Sequence, residues 1–301
     1  MHQRNPYSTP FDYNDLAEAF PPLKHHLTYT KNGPRILDFK DPKVLRDLNC
    51  AILWRDFKVR LEIPLDSLIP PIPNRLDYIL HIEDLLANSK HKKEIHGIDI
   101  GIGASCIYPI LGCKTNSNWN FLGLEVDERN LEFAEDNIKR NKLNENDRII
   151  LKQNFSKKRL LPKKLLSRKY YDFCMCNPPF YRDQNQIAEQ KALKISEPYS
   201  ICTGSKNEMI TDGGEVQFIK QLIHESTKRR KRIGWFTTLI GRRADAIELE
   251  SHLNNLNSTY NLTVKLDSYR QSYTTRWILS WTFDERLHGQ EDPVKKKLKS
   301  E

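Results

Sequence analysis

From about residue 95 onward the chain alternates short β-branched or aromatic runs with stretches of helical periodicity, and this alternation restricts the fold more than any other feature. A strand followed by a helix must cross over to reach a parallel neighbour. Repeated strand–helix units therefore build a mostly parallel sheet with helices on both faces, an α/β architecture. The pattern predicts strands near residues 95–100, 120–125, 148–153, 171–176, 233–240, 262–268 and 276–283, and helices around 104–111, 128–141 and 215–231. Only a short connection, including Tyr269 to Thr275, separates the last two strands, and it carries no helical pattern. An antiparallel hairpin closing one edge of a seven-stranded sheet is the arrangement this order predicts.

The first 75 residues are rich in proline and aromatics and hold one clear helix, from about Asp41 to Trp54, announced by Asp41-Pro42. Prolines at 64, 70, 71 and 73 then interrupt regular structure. Leu76, Ile79, Leu80, Ile82, Leu85 and Leu86 recur at helical spacing and predict an amphipathic helix leading into the sheet. Three segments follow: an N-terminal extension over 1–75, a catalytic-type α/β domain over 76–287, and a basic tail or linker over 288–301 that contains Lys295-Lys296-Lys297-Leu298-Lys299. No run approaches the roughly 20 apolar residues of a membrane span, and the start M-H-Q-R-N-P-Y has no apolar signal core, so an intracellular protein without a membrane partner is expected. The six cysteines are dispersed and read as reduced thiols; Cys174-Met175-Cys176 is C-x-C, with no second pair at zinc-finger spacing, so no metal is expected. Lys and Arg exceed Asp and Glu by 48 to 39, an imbalance that favours a polyanionic partner without naming it. Lys228 to Arg232 form a basic run that complements a helix C-terminus, with RNA contact or nuclear import as the alternative reading.

Three motifs carry chemistry. Ile95 to Ser105 reads I-H-G-I-D-I-G-I-G-A-S, a strand followed by a turn on Gly101 and Gly103, where glycine lets the backbone approach a ligand at the carboxyl end of the first sheet strand. Gly123-Leu124-Glu125-Val126-Asp127 places an acid at the end of the next strand, suited to the two ribose hydroxyls of an adenosine-containing cofactor. Position 106 is Cys, so the third glycine of a dinucleotide loop is missing and a cofactor with a ribose but no pyrophosphate fits better. The most specific motif is Asn177-Pro178-Pro179-Phe180 at the end of the fourth strand. Its prolines remove two donors and fix φ, so the Asn177 side chain and the Pro178 carbonyl are expected to face the cleft as two acceptors for an NH₂ group, with Phe180 as a flat face for a purine.

These stretches resemble the class I amino methyltransferases with an N-P-P-F/Y loop. More narrowly, the chain resembles the U6 small nuclear RNA adenosine methyltransferases, the methyltransferase-like protein sixteen type, related to a bacterial 23S ribosomal RNA adenine N6-methyltransferase. The further matches are F-K-D-P at 39–42, I-P-L at 63–65, R-L-x-Y-I at 75–79, A-S-C-I-Y-P at 104–109, T-G at 203–204, G-G-E at 213–215 and T-x-R-W at 274–277, over about residues 1–285. The resemblance implies a Rossmann-like class I methyltransferase fold, S-adenosyl-L-methionine as cofactor and RNA as partner, with U6 small nuclear RNA and a nuclear location expected. It further implies that Gly101, Gly103, Ser105, Glu125 and Asn177 contact the cofactor, that Arg75 reaches its carboxylate, and that Asn154, within Gln153-Asn154-Phe155-Ser156, meets its adenine. Arg4, Lys40 and Arg276 match positions near the RNA path; family members carry arginine where this chain has Tyr273.

An adenine amine is a poor nucleophile because its lone pair is delocalised into the ring. Two acceptors holding both N–H bonds turn that lone pair outward, so positioning is expected to do most of the work and no strong base is needed. A protein glutamine methyltransferase would use the same acceptors on an amide, and an RNA-binding factor with a secondary methyltransferase activity is the reading from another class. His81, His96, Trp235, Trp277 and Trp281 are expected to be structural, and Asp172, five residues before Asn177, to have no direct role.

Overall fold

The computed structural model describes residues 1–30, 33–87, 93–156, 158–186, 203–271 and 274–288. Tyr273, Cys202 and the lysines of the tail lie outside these residues. The N-terminal segment folds as helix α1 (Tyr13–Ala19), a small hairpin of strands β1 (Thr28–Thr30) and β2 (Gly33–Ile36), and helices α2 (Pro42–Phe57) and α3 (Ile72–Leu85). Asp41 caps α2 as its sequence predicts, accepting from the Lys43 N–H, with Pro42 at the first helical position. Helix α3 begins at Ile72, four residues before Leu76, the first of the periodic apolar positions, and the Asn49 side chain of α2 accepts from the Ile72 N–H at that start.

Seven strands follow: β3 (Ile95–Ile100), β4 (Trp119–Glu125), β5 (Ile149–Gln153), β6 (Tyr171–Cys176), β7 (Ile233–Ile240), β8 (Thr263–Gln271) and β9 (Thr274–Thr282). They form one sheet in the order β5-β4-β3-β6-β7-β9-β8. The first five are mutually parallel and the final pair is antiparallel, which matches the edge hairpin. That hairpin is longer than expected: Tyr269, Arg270, Gln271, Thr274 and Thr275 belong to its strands rather than to a connection.

Between the strands lie α4 (Ile107–Thr115), α5 (Glu128–Arg140), the single turn α6 (Lys206–Met209), α7 (Gly214–Arg229) and α8 (Arg243–Tyr260). Helix α4 starts at 107 instead of 104 because Gly101, Gly103 and Cys106 all take positive φ, so the chain cannot be helical before Ile107. Side chains alternate across each strand and sort into two cores. Phe173 and Met175 of β6 face a cluster that includes Leu53, Tyr78, Ile110 and Ile138, from α2, α3, α4 and α5. Cys174 and Cys176 face the other cluster with Ile219, Leu222 and Leu249, from α7 and α8. Tyr7, Leu16 and Leu23 belong to the first cluster, so the N-terminal segment shares the core of the sheet. Trp235 and Trp281 are fully buried, and His81 bridges the Tyr269 hydroxyl and the Ser280 hydroxyl; burial holds it near a pKa of about 4, neutral and structural.

The sheet order reverses between β3 and β6. Chains leave these neighbouring strands in opposite directions, and an open crevice forms at their carboxyl ends. Gly101 follows one strand and Asn177 follows the other.

Candidate active site

A cavity of about 920 Å³ opens at this crevice. Its wall includes Arg75, Gly101, Gly103, Ser105, Glu125, Asn154, Asn177 and Pro179, bringing together the three motifs of the sequence and Arg75 from α3. Gly101 and Gly103 take φ of 75° and 61°. At Gly101 a side chain would meet nothing within 4 Å, so glycine is required by backbone conformation rather than by space.

Glu125 is buried, and its carboxylate organises the cavity floor. One oxygen accepts from the Gly103 N–H at 2.9 Å; the other accepts from Val126 N–H at 2.7 Å and Asp127 N–H at 3.1 Å. Burial raises its pKa and the backbone donors act against that rise. Three of about four acceptor positions of the carboxylate are thus taken by backbone donors.

Three polar groups around the cavity are buried without a partner: the Asn177 Oδ1, the Arg75 Nε and both oxygens of Asp99. Arg75 donates through its η nitrogen to the Tyr108 hydroxyl at 2.8 Å, which leaves the ε donor for an acidic ligand group. Asp99 is wholly buried on β3; burial first, and the nearby Glu125 second, push its pKa up to about 8, with Arg75 pulling the other way. Asn154 lies in the wall, but its amide donates to the Arg159 carbonyl and its oxygen accepts from Ser156 N–H, so it braces its own loop.

The N-P-P-F segment divides between two surfaces. Asn177 and Pro179 line the cavity, and Pro178 between them is buried. Phe180 lies beyond, with the Arg276 guanidinium 5.9 Å from its ring centroid. Tyr78 of α3 supports the loop from below: its hydroxyl accepts from Cys176 N–H at 3.2 Å and pairs with Thr237 at 2.8 Å. Arg4 lies against the end of α3, paired with Glu83 and Asp84. Lys40 is exposed just before α2. Asp172 accepts from His96 N–H at the far end of β6.

Sequence reasoning missed two carboxylates. Glu208 lines the cavity and accepts from Leu68 and Ser205 N–H, tying the segment after residue 203 to the linker before α3. Glu215, the acid of the G-G-E match, accepts from Gly241 N–H at 2.9 Å beside Phe180. Burial raises it to about 8. Neither stands at a strand end; Glu215 is marked only by the G-G-E match, with no role attached, and Glu208 by nothing.

A doubly wound sheet with a glycine turn, an acid after the second strand and an N-P-P-F loop at the switch point defines a class I methyltransferase. A family model described as RNA methyltransferase matches residues 1–285, and the chain belongs to that family. It is 36% identical over 304 residues to the RNA N(6)-adenosine-methyltransferase METTL16 of Mus musculus, covering 99% of this chain and 54% of the relative. It is 35% identical to the U6 small nuclear RNA (adenine-(43)-N(6))-methyltransferase of Dictyostelium discoideum, covering 94% of this chain and 55% of the relative. The chain thus spans about half the length of the curated relatives it matches. The human METTL16 catalytic domain solved with a MAT2A 3′UTR hairpin superposes with a TM-score of 0.86 at 38% identity, over 95% of this chain and 96% of that one. The human domain in complex with SAH gives 0.78 at 36% identity, over 95% and 99%.

Proposed function

We propose that this chain transfers a methyl group from S-adenosylmethionine to the N6 amine of an adenosine in structured RNA, with the ACAGAGA region of U6 small nuclear RNA as target and the nucleus as location. The observation that carries the reading is Asn177, a residue of the cavity wall whose side-chain oxygen is a buried acceptor with no partner. A carbonyl oxygen left unsatisfied in this way costs free energy until an N–H arrives. The two relatives named above are RNA adenosine methyltransferases, in agreement with that chemistry.

The cavity residues fit the cofactor. The Arg75 ε donor suits a carboxylate, the Gly101–Gly103 turn admits close approach, and Glu125 retains one acceptor for a ribose hydroxyl. Bound there, S-adenosylmethionine supplies an electrophilic methyl group. Asn177 then accepts one N–H of the target amine and, with a second acceptor that the family resemblance assigns to the Pro178 carbonyl, holds the amine with its lone pair toward the cavity. As the amine gains positive charge, the same acceptor binds it more strongly, so stabilisation grows toward the transition state, and the cationic product then loses one N–H proton to solvent. Phe180, backed by Arg276, offers its ring to the extruded base. An unpaired or bulged adenosine makes that extrusion inexpensive. In this reading residues 1–75 form an RNA-binding and gating extension, Lys40 lies on the RNA path, and Arg4 serves it by fixing the end of α3.

Transfer of label from S-adenosylmethionine onto RNA, DNA and protein separates the candidate substrates; label confined to protein would sink the proposal. Asn177→Ala should lower kcat by at least about 10²-fold, the usual cost of one transition-state hydrogen bond, while RNA affinity stays within about twofold. Near-normal turnover would refute the role of Asn177.

A further inference from the structure

Two basic segments distant in sequence lie against each other. The β5–β6 connection carries Lys158, Arg159, Lys163, Lys164, Arg168 and Lys169, with no acid between residues 158 and 170, and the end of α7 adds the run Lys228 to Arg232. The two segments are laced together. Arg229 donates to the Leu161 carbonyl, Arg232 donates to the Leu166 and Arg168 carbonyls, and Tyr171 N–H donates to the Arg232 carbonyl at 2.8 Å. Among the described residues, none of these eleven cations makes an ion pair. Glu225, the nearby acid of α7, is buried and accepts from Leu160 and Leu161 N–H. These eleven cations are nearly a quarter of the 48 Lys and Arg in the chain.

The surface begins at the cavity, whose wall includes Lys158. From there the connection descends to the start of β6, along a sheet about 20 Å high for a six-residue strand at about 3.3 Å per residue. It is therefore a track that leaves the active site, with lysines 163, 164, 169, 228 and 231 exposed along it. We propose that this track holds the phosphodiester backbone of the RNA arm flanking the target adenosine. The occupant must be a polymer with one unit in the cavity and its charge continuing outward, which describes a nucleic acid. A receptor reading Lys228 to Arg232 as an extended peptide would have to unwind the last turn of α7 and break the Arg229 and Arg232 contacts. The partner rests on the proposed function; the charge track itself does not.

The test compares a target RNA loop bearing flanking single-stranded arms with the bare loop, and reads binding, without turnover, against salt. In the variant Lys163→Gln, Lys164→Gln, Lys169→Gln, Lys231→Gln, with thermal stability like the parent, armed RNA should bind at least tenfold more weakly. The slope of log K against log salt should flatten by about 3, from about 0.7 per lost contact to a single strand. Bare-loop affinity and its methylation rate should stay within twofold. A control with the same charge change at Lys58, Lys114, Lys139 and Lys142 should leave armed-RNA binding near the parent. Equal weakening of armed and bare RNA, equal damage by the control, or no weakening would each overturn the proposal. A failed Asn177 mechanism would leave the arm-dependent binding in place, so the two failures are distinguishable.

Discussion

Replacing Asp99 by Asn should change how stability depends on pH more than any other single substitution in this protein. Asp99 is wholly buried on β3, both its oxygens lack partners, and its pKa stands at about 8 against an ordinary 3.8. The folded chain therefore keeps a proton there that the unfolded chain releases near pH 4. Between those values the native state binds more protons than the unfolded state, so unfolding free energy falls as pH rises, by up to 1.36 kcal/mol per unit. From pH 4 to pH 7 the loss attributable to this residue is about 4 kcal/mol, and it levels off above about pH 8. Asn mimics the neutral acid in shape and does not titrate. Urea unfolding followed at pH 5, 6, 7 and 8 should show Asp99→Asn gaining on the parent steadily across the series, by about 1 kcal/mol per unit. Cofactor affinity is a separate readout, since Asp99 borders the cavity without lining it. A variant whose stability runs parallel to the parent across the whole range would refute the assignment of a buried neutral acid at this position.

Two packing changes probe the frame around the site. Tyr78→Phe removes the acceptor of the Cys176 N–H, one residue before Asn177, and should cost about 1–3 kcal/mol in denaturant unfolding. It should also lower kcat more than it raises the KM for the cofactor, because the loop and not the cavity loses its support. Gly97→Ala pushes a methyl group into the Phe173 ring, which packs between Trp119 and Phe121, and should destabilise by about 3 kcal/mol. Adding Phe173→Leu should recover part of that loss, and strict additivity of the two changes would refute the clash.

The parts of the fold legible in the sequence are those where local pattern and tertiary environment demand the same residues. The largely buried strands β3 and β6 are mostly apolar on both faces because helices cover both, and their ends are marked by Gly101 and Asn177. Helix α8, which the sequence reading leaves out, carries the same kind of signal, since Ala246, Leu249 and Leu253 recur at helical spacing and are completely buried. Its Asn- and Ser-rich final turns, ending at Asn261 with positive φ, instead read as loop. The start of α4 was not legible, because it depends on Cys106 holding a left-handed conformation that no local propensity favours. The same division runs through the site. Gly101, Gly103, Glu125 and Asn177 sit at strand ends, where two or three residues of context determine what a side chain faces. Glu208 and Glu215 become informative only when distant backbone donors, at Leu68 and Gly241, close onto them. The basic track was visible in the sequence as the Lys228 to Arg232 run alone; its other half lies some sixty residues upstream and joins it only through the Arg229 and Arg232 contacts. A charge run read locally looks like a helix terminus complementing its dipole. What turns it into a surface with a direction is the connection folded against it, which starts at the cavity wall.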